Sequence, residues 1–361
     1  MNRDLQTKVQ SVLDKAVEQG TECGCQAALY VNGELAVNAY AGHTDWTKSQ
    51  VVDQDTIFPI YSTGKAPSST VLHRLVEKGL IDYDTLIGDV WPEFACNGKE
   101  DMRVWHVLSY RCGLFNMPEL DRPERAADWE YMLNRMAKMT PAYAPGTKQE
   151  YHPRTYGWLT GGIACRVLKN NDYFQIFKDE VGTLASMDRF YYGADEAALE
   201  NSATLVSALD GSNYSQDVID YMNNPVFRKC CNPAVCTMSN ALSIARHYAA
   251  LDTGKLLSQK TLEHSIRPWS TEDYRDQIAT GRWVLFGLGY VLSGPMDAIG
   301  QVYGHGGVGG SEGLLDCEKH YALAITRNLF ANPNVMDAFY AAIGFKNRDW
   351  PDTSEVPVGV G

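Results

Sequence analysis

The sequence predicts an α/β (α+β) protein: an antiparallel sheet built from strands at both ends of the chain and flanked by helices, with a mostly helical lobe between. Three observations predict it. Two apolar runs near the start meet at Asn32-Gly33, and two near the end meet at Cys317 to His320. Between about 90 and 250 the apolar spacing is mainly helical, with long links rich in Pro, Asn and Asp.

Taken in order, Leu5, Val9, Val12, Leu13, Ala16 and Val17 form one helical stripe. Ala27 to Val31 and Leu35 to Val37 read as strands around a type I′ Asn-Gly turn. Val71, Leu72, Leu75 and Val76 continue a helical face that Gly79 closes, and Pro67 is tolerable because it falls near the helix start. Phe286 to Leu292 reads as a strand. Gly313 to Asp316 and Tyr321 to Ile325 read as the far hairpin. Val335, Met336, Phe339, Tyr340 and Ile343 mark a final amphipathic helix. This layout divides the chain into a discontinuous α/β domain, residues 1–89 and 250–361, and a helical domain, 90–249. A site is expected in the cleft between them.

Composition narrows the function. The chain has 361 residues, 45% of them hydrophobic, and a net charge of −12 with no basic stripe, which argues against nucleic acid as the main partner. No apolar run approaches the length of a membrane span, and the start lacks the apolar core of a signal peptide, so a cytoplasmic protein is expected. Nine cysteines are scattered without zinc spacing, which fits reduced, mostly buried thiols and no metal site.

Ser62-Thr63-Gly64-Lys65 carries the most chemistry. It sets a hydroxyl and an amine three residues apart where a helical pattern begins, on one face if the segment is helical. A lysine partly desolvated there can take the serine's proton and release a nucleophile. Chance alone supplies roughly one such match in a chain this long, so the partners decide. Two later segments have the composition of a site. Pro145 to Pro153 is a turn-rich loop that presents Tyr151 and His152 ahead of the helix carrying Trp158. Tyr303 to Ser311 holds five glycines in nine residues, which lets a ligand approach the backbone and leaves N–H groups free to donate. No nucleotide-binding glycine motif is present.

The order of these pieces resembles the serine β-lactamase and penicillin-binding protein superfamily, and within it the class C-like (family VIII) carboxylesterases. Thr56 to Ser62, Leu75 to Asp82, Trp91 to Phe94, Trp105 to Ser109, Gly113-Leu114, Tyr151 to Leu159 and Tyr303 to Gly313 carry the resemblance, which spans residues 5 to 345. It implies a β-lactamase/transpeptidase-like fold and a cofactor-free acyl-enzyme on Ser62, with Lys65 and Tyr151 sharing the general-base work. It also implies an oxyanion hole from the N–H groups of Ser62 and Val308. His305 stands where the family has the lysine of K-T-G. With Gly306, Gly307, His152 and Trp158 it makes up the expected substrate-binding group, although His152 also suits a role in orienting its loop, and Trp158 suits the core.

Two departures shape the expected substrate. Pro153 stands where the family's Y-x-N has asparagine, and Gly306 where K-T-G has threonine. Both remove groups that would hold an anionic amide, and neither hinders attack on a simple ester. A carboxylesterase on small esters is therefore expected. An acyltransferase, a β-lactamase or D-amino peptidase of the same fold, and a non-catalytic binding module are the alternatives.

Overall fold

The computed structural model describes residues 1–208, 216–270, 285–293, 299–330 and 334–345. Helix α1, Arg3–Glu18, opens on Asn2, whose side chain accepts from the N–H groups of Asp4 and Leu5. Ten strands follow: β1 Gly24–Val31, β2 Glu34–Gly42, β3 Phe58–Pro59, β4 Phe190–Tyr192, β5 Thr237–Ser239, β6 Leu285–Phe286, β7 Val291–Ser293, β8 Val302–Gly306, β9 Glu312–Asp316 and β10 Tyr321–Arg327. Seven of them form one antiparallel sheet in the order β2-β1-β10-β9-β8-β7-β6. β1 pairs with β10, Cys25 opposite Arg327, so the two ends of the chain meet inside one sheet.

Local chemistry explains the hairpins. Asn32 and Gly33 both have positive φ, +50° and +76°, as a type I′ turn requires. β1 is buried on both faces, which is why Ala27 to Val31 lacks a polar alternation: Ala27 and Leu29 join the core under α1 and the helix Asn334–Ala342, while Ala28 faces the opposite core. On that opposite side the helix Ala241–Asp252 packs against β1, β9 and β10. A domain boundary at 249/250 therefore cuts a helix that belongs to the sheet. Phe286 to Leu292, read from sequence as one strand, is a hairpin instead. Gly289 turns at φ +85° and β6 pairs back on β7, because two glycines inside an apolar run permit a reversal that the hydrophobic pattern hides.

Helix α2, Lys65–Glu77, runs between sheet and lobe and is buried nearly all round. Its polar side chains are answered by their neighbours. Ser68 meets Thr160 and Tyr173, and Thr70 meets His247 and Tyr290. His73 meets Tyr83 and the Leu288 carbonyl. Pro67, the third residue of the helix, falls where N–H groups have no intrahelical partner in any case. The lobe's helix Thr155–Leu168 packs on α2. The small sheet β3-β5-β4 anchors the chain just ahead of Ser62. No described helix is long and apolar enough to cross a membrane. All nine cysteines carry free thiols.

Candidate active site

Ser62 sits in the 3-10 turn Tyr61–Gly64, immediately before α2, and is half-buried. Three features hold this turn. Tyr61 takes a left-handed φ of +46°, a strained conformation for an aromatic residue that persists only under tight packing. Thr63 donates its hydroxyl to the Ser311 carbonyl at 3.1 Å. Gly64 lies so close to Thr237 that a Cβ there would stand 2.2 Å from its hydroxyl. The glycine-rich turn approaches from the other side: a Cβ on Gly307 would stand 2.1 Å from the Ile60 carbonyl oxygen, so only glycine allows these two segments to touch.

Lys65 is fully buried, and burial alone pushes its amine well below the usual lysine range. Its Nζ lies 2.7 Å from Ser62 Oγ, 2.9 Å from the Pro153 carbonyl and 2.9 Å from the Ala234 carbonyl. Carbonyls only accept. Two N–H bonds therefore go to Pro153 and Ala234, which leaves the third position on Nζ for the Ser62 hydroxyl: a donor from an ammonium, a lone pair from a neutral amine. The Tyr151 ring lies 4.8 Å from Nζ, centroid to nitrogen, and offers its negative face to the ammonium formed on proton transfer. The Val308 N–H has no backbone acceptor among the described residues, and Val308 is about half exposed at the mouth of the site.

The structure thus brings together Ser62, Lys65, Tyr151, Gly307 and the turn carrying Val308. His305 is nearby, with its ring 6.0 Å from that of Tyr151, but it is buried. Its Nδ1 faces the Gly306 carbonyl at 2.7 Å and its Nε2 faces the Tyr110 hydroxyl at 3.4 Å. Both nitrogens are turned to protein groups, and the ring stands behind Tyr151. Gly306 is half-buried beside His305. His152 is fully buried and spends its ring on the protein. Its Nε2 accepts from the Leu114 N–H at 3.2 Å with Cys112 Sγ at 3.0 Å, and its Nδ1 donates to the Glu150 carbonyl at 2.6 Å. Burial pushes its imidazole down to about 3. The expected substrate contact at His152 is corrected to a loop-orienting role, because every polar atom of the ring is spent on the protein. Trp158 is buried on the wall of a cavity of about 340 Å³ that Met117, Arg154, Phe227, Val235 and Cys236 also line.

Sequence reasoning missed the two carbonyl acceptors of Lys65 and missed Tyr110, a buried ring stacked among Tyr151, Tyr156 and Phe286. A backbone carbonyl has no sequence signature, so Ala234 could not have been singled out. Among the described residues no group of three or more His, Cys, Asp or Glu is placed to hold a metal ion.

Comparison with known proteins agrees with this geometry. The family model Beta-lactamase matches residues 9–344. The esterase/beta-lactamase LipL of Mycobacterium tuberculosis H37Rv is 27% identical, over 89% of this chain and 80% of its own length. A family VIII carboxylesterase structure superposes with a TM-score of 0.82 at 25% identity, covering 94% of this chain and 97% of its own. A penicillin-binding protein homologue from Caulobacter crescentus shares the fold at 24% identity, with a TM-score of 0.80 and coverage of 94% and 98%. The chain belongs to the beta-lactamase family and is a serine hydrolase.

Proposed function

We propose that the protein is a carboxylesterase that acts on small esters through an acyl-enzyme on Ser62. The observation that carries this reading is Lys65, fully buried with no carboxylate at hydrogen-bond distance among the described residues and its Nζ 2.7 Å from Ser62 Oγ. Ser62 attacks the ester carbonyl carbon and its proton passes to Lys65. The ammonium so formed rests on the Pro153 and Ala234 carbonyls and the Tyr151 ring. The Ser62 and Val308 N–H groups receive the oxyanion. Each such donor is worth about 10²–10³ in rate. Collapse expels the alkoxide, which takes its proton back through the Lys65–Tyr151 pair. Water then repeats the sequence to release the acid.

The substrate class follows from what surrounds the serine. Pro153 has no side-chain donor and Gly306 has no hydroxyl, so an acylamino group and a substrate carboxylate would both lack partners. The cavity bounded by Trp158 and Val235 borders the residues that follow both lysine acceptors and suits a modest apolar acyl group. The test is turnover of p-nitrophenyl acetate and butyrate beside a chromogenic cephalosporin. The reading expects ester turnover, lost in Ser62→Ala, with the lactam cleaved much more slowly. Ester turnover that survives Ser62→Ala, or a preference for the lactam, would overturn it.

A further inference from the structure

Tyr110 lies outside every motif that marks the site, yet it touches Tyr151 and His305. It follows the short helix Val104–Leu108 and takes a left-handed φ of +60°, unusual for a bulky aromatic residue and sustained only where surrounding structure dictates it. Its backbone is tied at both ends: its N–H donates to the Val107 carbonyl at 3.1 Å, and its carbonyl accepts from the Glu150 N–H at 3.0 Å, one residue before Tyr151. The fully buried ring lies 5.1 Å from Tyr151, 4.6 Å from Tyr156 and 4.6 Å from Phe286, centroid to centroid. Its hydroxyl reaches His305 Nε2 at 3.4 Å.

Proton directions at His305 follow from its partners. The Gly306 carbonyl can only accept, so Nδ1 carries the hydrogen at 2.7 Å. In the neutral ring Nε2 is then an acceptor, and the Tyr110 O–H donates to it. Nearby, Ser69 donates its hydroxyl to the Lys65 carbonyl at 2.8 Å, which leaves the Tyr156 hydroxyl, 2.7 Å from Ser69 Oγ, to donate to that oxygen. The phenol of Tyr156 thereby donates toward α2, with the Tyr110 hydroxyl beside it.

We propose that Tyr110 is a positioning residue of the acyl-transfer site: its ring braces Tyr151 against Lys65, and its hydroxyl holds the His305 ring through Nε2, whose Nδ1–H tautomer the Gly306 carbonyl sets. It touches no substrate and acts through Tyr151 and His305. The inference rests on the esterase reading for its kinetic consequence, whereas its consequence at His305 stands without it.

The test is Tyr110→Phe, which keeps the ring and removes the donor, beside Tyr110→Leu, which removes both. For p-nitrophenyl butyrate the expected result is a kcat about tenfold lower in Tyr110→Phe, the effect of one buried hydrogen bond, with KM within about twofold. Its thermal midpoint should stay close to that of the parent, and Tyr110→Leu should lose more. Nitrogen-15 NMR of the imidazole should show His305 as the Nδ1–H form in both proteins, with the Nε2 resonance moved downfield in Tyr110→Phe, where it loses its hydrogen-bond donor; an Nε2 resonance that does not move would count against the proposal. An unchanged kcat, a kcat loss accompanied by an equal loss of thermal stability, or an Nε2–H form in the parent would overturn the proposal. Absence of ester turnover in the parent would instead sink the esterase reading and leave the NMR test standing.

Discussion

Two of the buried charge-bearing sites among the described residues are handled in opposite ways. Glu22 and Arg327 are both buried completely. Arg327 Nε donates to Glu22 Oε2 at 2.7 Å, while Glu22 Oε1 accepts from the N–H groups of Cys23 and Leu329. Burial pushes the Glu22 carboxyl up to about 7, with Arg327 and the two N–H groups pulling the other way. Lys65 is equally buried but meets no carboxylate, only two carbonyls and a hydroxyl. Desolvation therefore acts on it unopposed. A matched pair joins the start of β1 to the end of β10; the amine of an unmatched lysine is pushed toward its neutral form. The difference lies in the partners and not in the depth of burial.

The largest effect should separate the two groups by readout. Lys65→Met removes the base, and ester turnover should fall about 10³–10⁴-fold, some 4–5.5 kcal/mol of barrier. Thermal stability should hold or rise, because an apolar chain of similar length replaces a buried amine. Arg327→Met should do the reverse. It leaves Glu22 buried beside an apolar neighbour, at a stability cost of about 3–5 kcal/mol, measured by urea unfolding. Equal stability losses in both variants would erase the contrast.

A pH comparison sharpens it further. The folded protein holds Lys65 well below its unfolded value, so between those two values the unfolded chain binds one proton more than the folded one. Stability then rises with pH across that window and levels off near the unfolded lysine value, about 10.4. Lys65→Met lacks this group, so its stability advantage over the parent should shrink as pH rises toward about 10, by at most ~1.4 kcal/mol per unit. Denaturant midpoints of both proteins across that window provide the check. A constant gap would mean that Lys65 stays charged in the fold.

How much of this was legible depended on where the information resides. The Asn32-Gly33 turn was readable because its positive φ values demand those residue types. Ser62 and Lys65 were readable because their chemistry is in the side chains at a fixed spacing. The acceptors at Pro153 and Ala234 were not, since every residue carries a carbonyl and only the fold aims one. His152 was misplaced by adjacency: it follows Tyr151 in the chain, yet its ring meets Cys112 while the Tyr151 ring lies against Lys65. The β6–β7 reversal hid inside an apolar run because Gly287 and Gly289 bend the chain without breaking the hydrophobic pattern.

The smallest expected effect concerns Pro153, whose two halves do different things. Its carbonyl accepts from Lys65 Nζ at 2.9 Å, while its exposed ring offers no donor to a substrate. Pro153→Asn keeps the carbonyl, so the base should survive and ester turnover should stay within about threefold of the parent. The new side-chain amide supplies a donor where an acylamino group would pass, and one such bond is worth about 1 kcal/mol, or roughly fivefold in KM. Steady-state kinetics on a plain butyrate ester and on an N-acylglycine ester measure both halves at once. A fall in KM confined to the acylamino ester would place the substrate preference in the missing donor. A parallel collapse of kcat on both esters would mean instead that the proline ring, by fixing its own φ, holds the Lys65 acceptor in place.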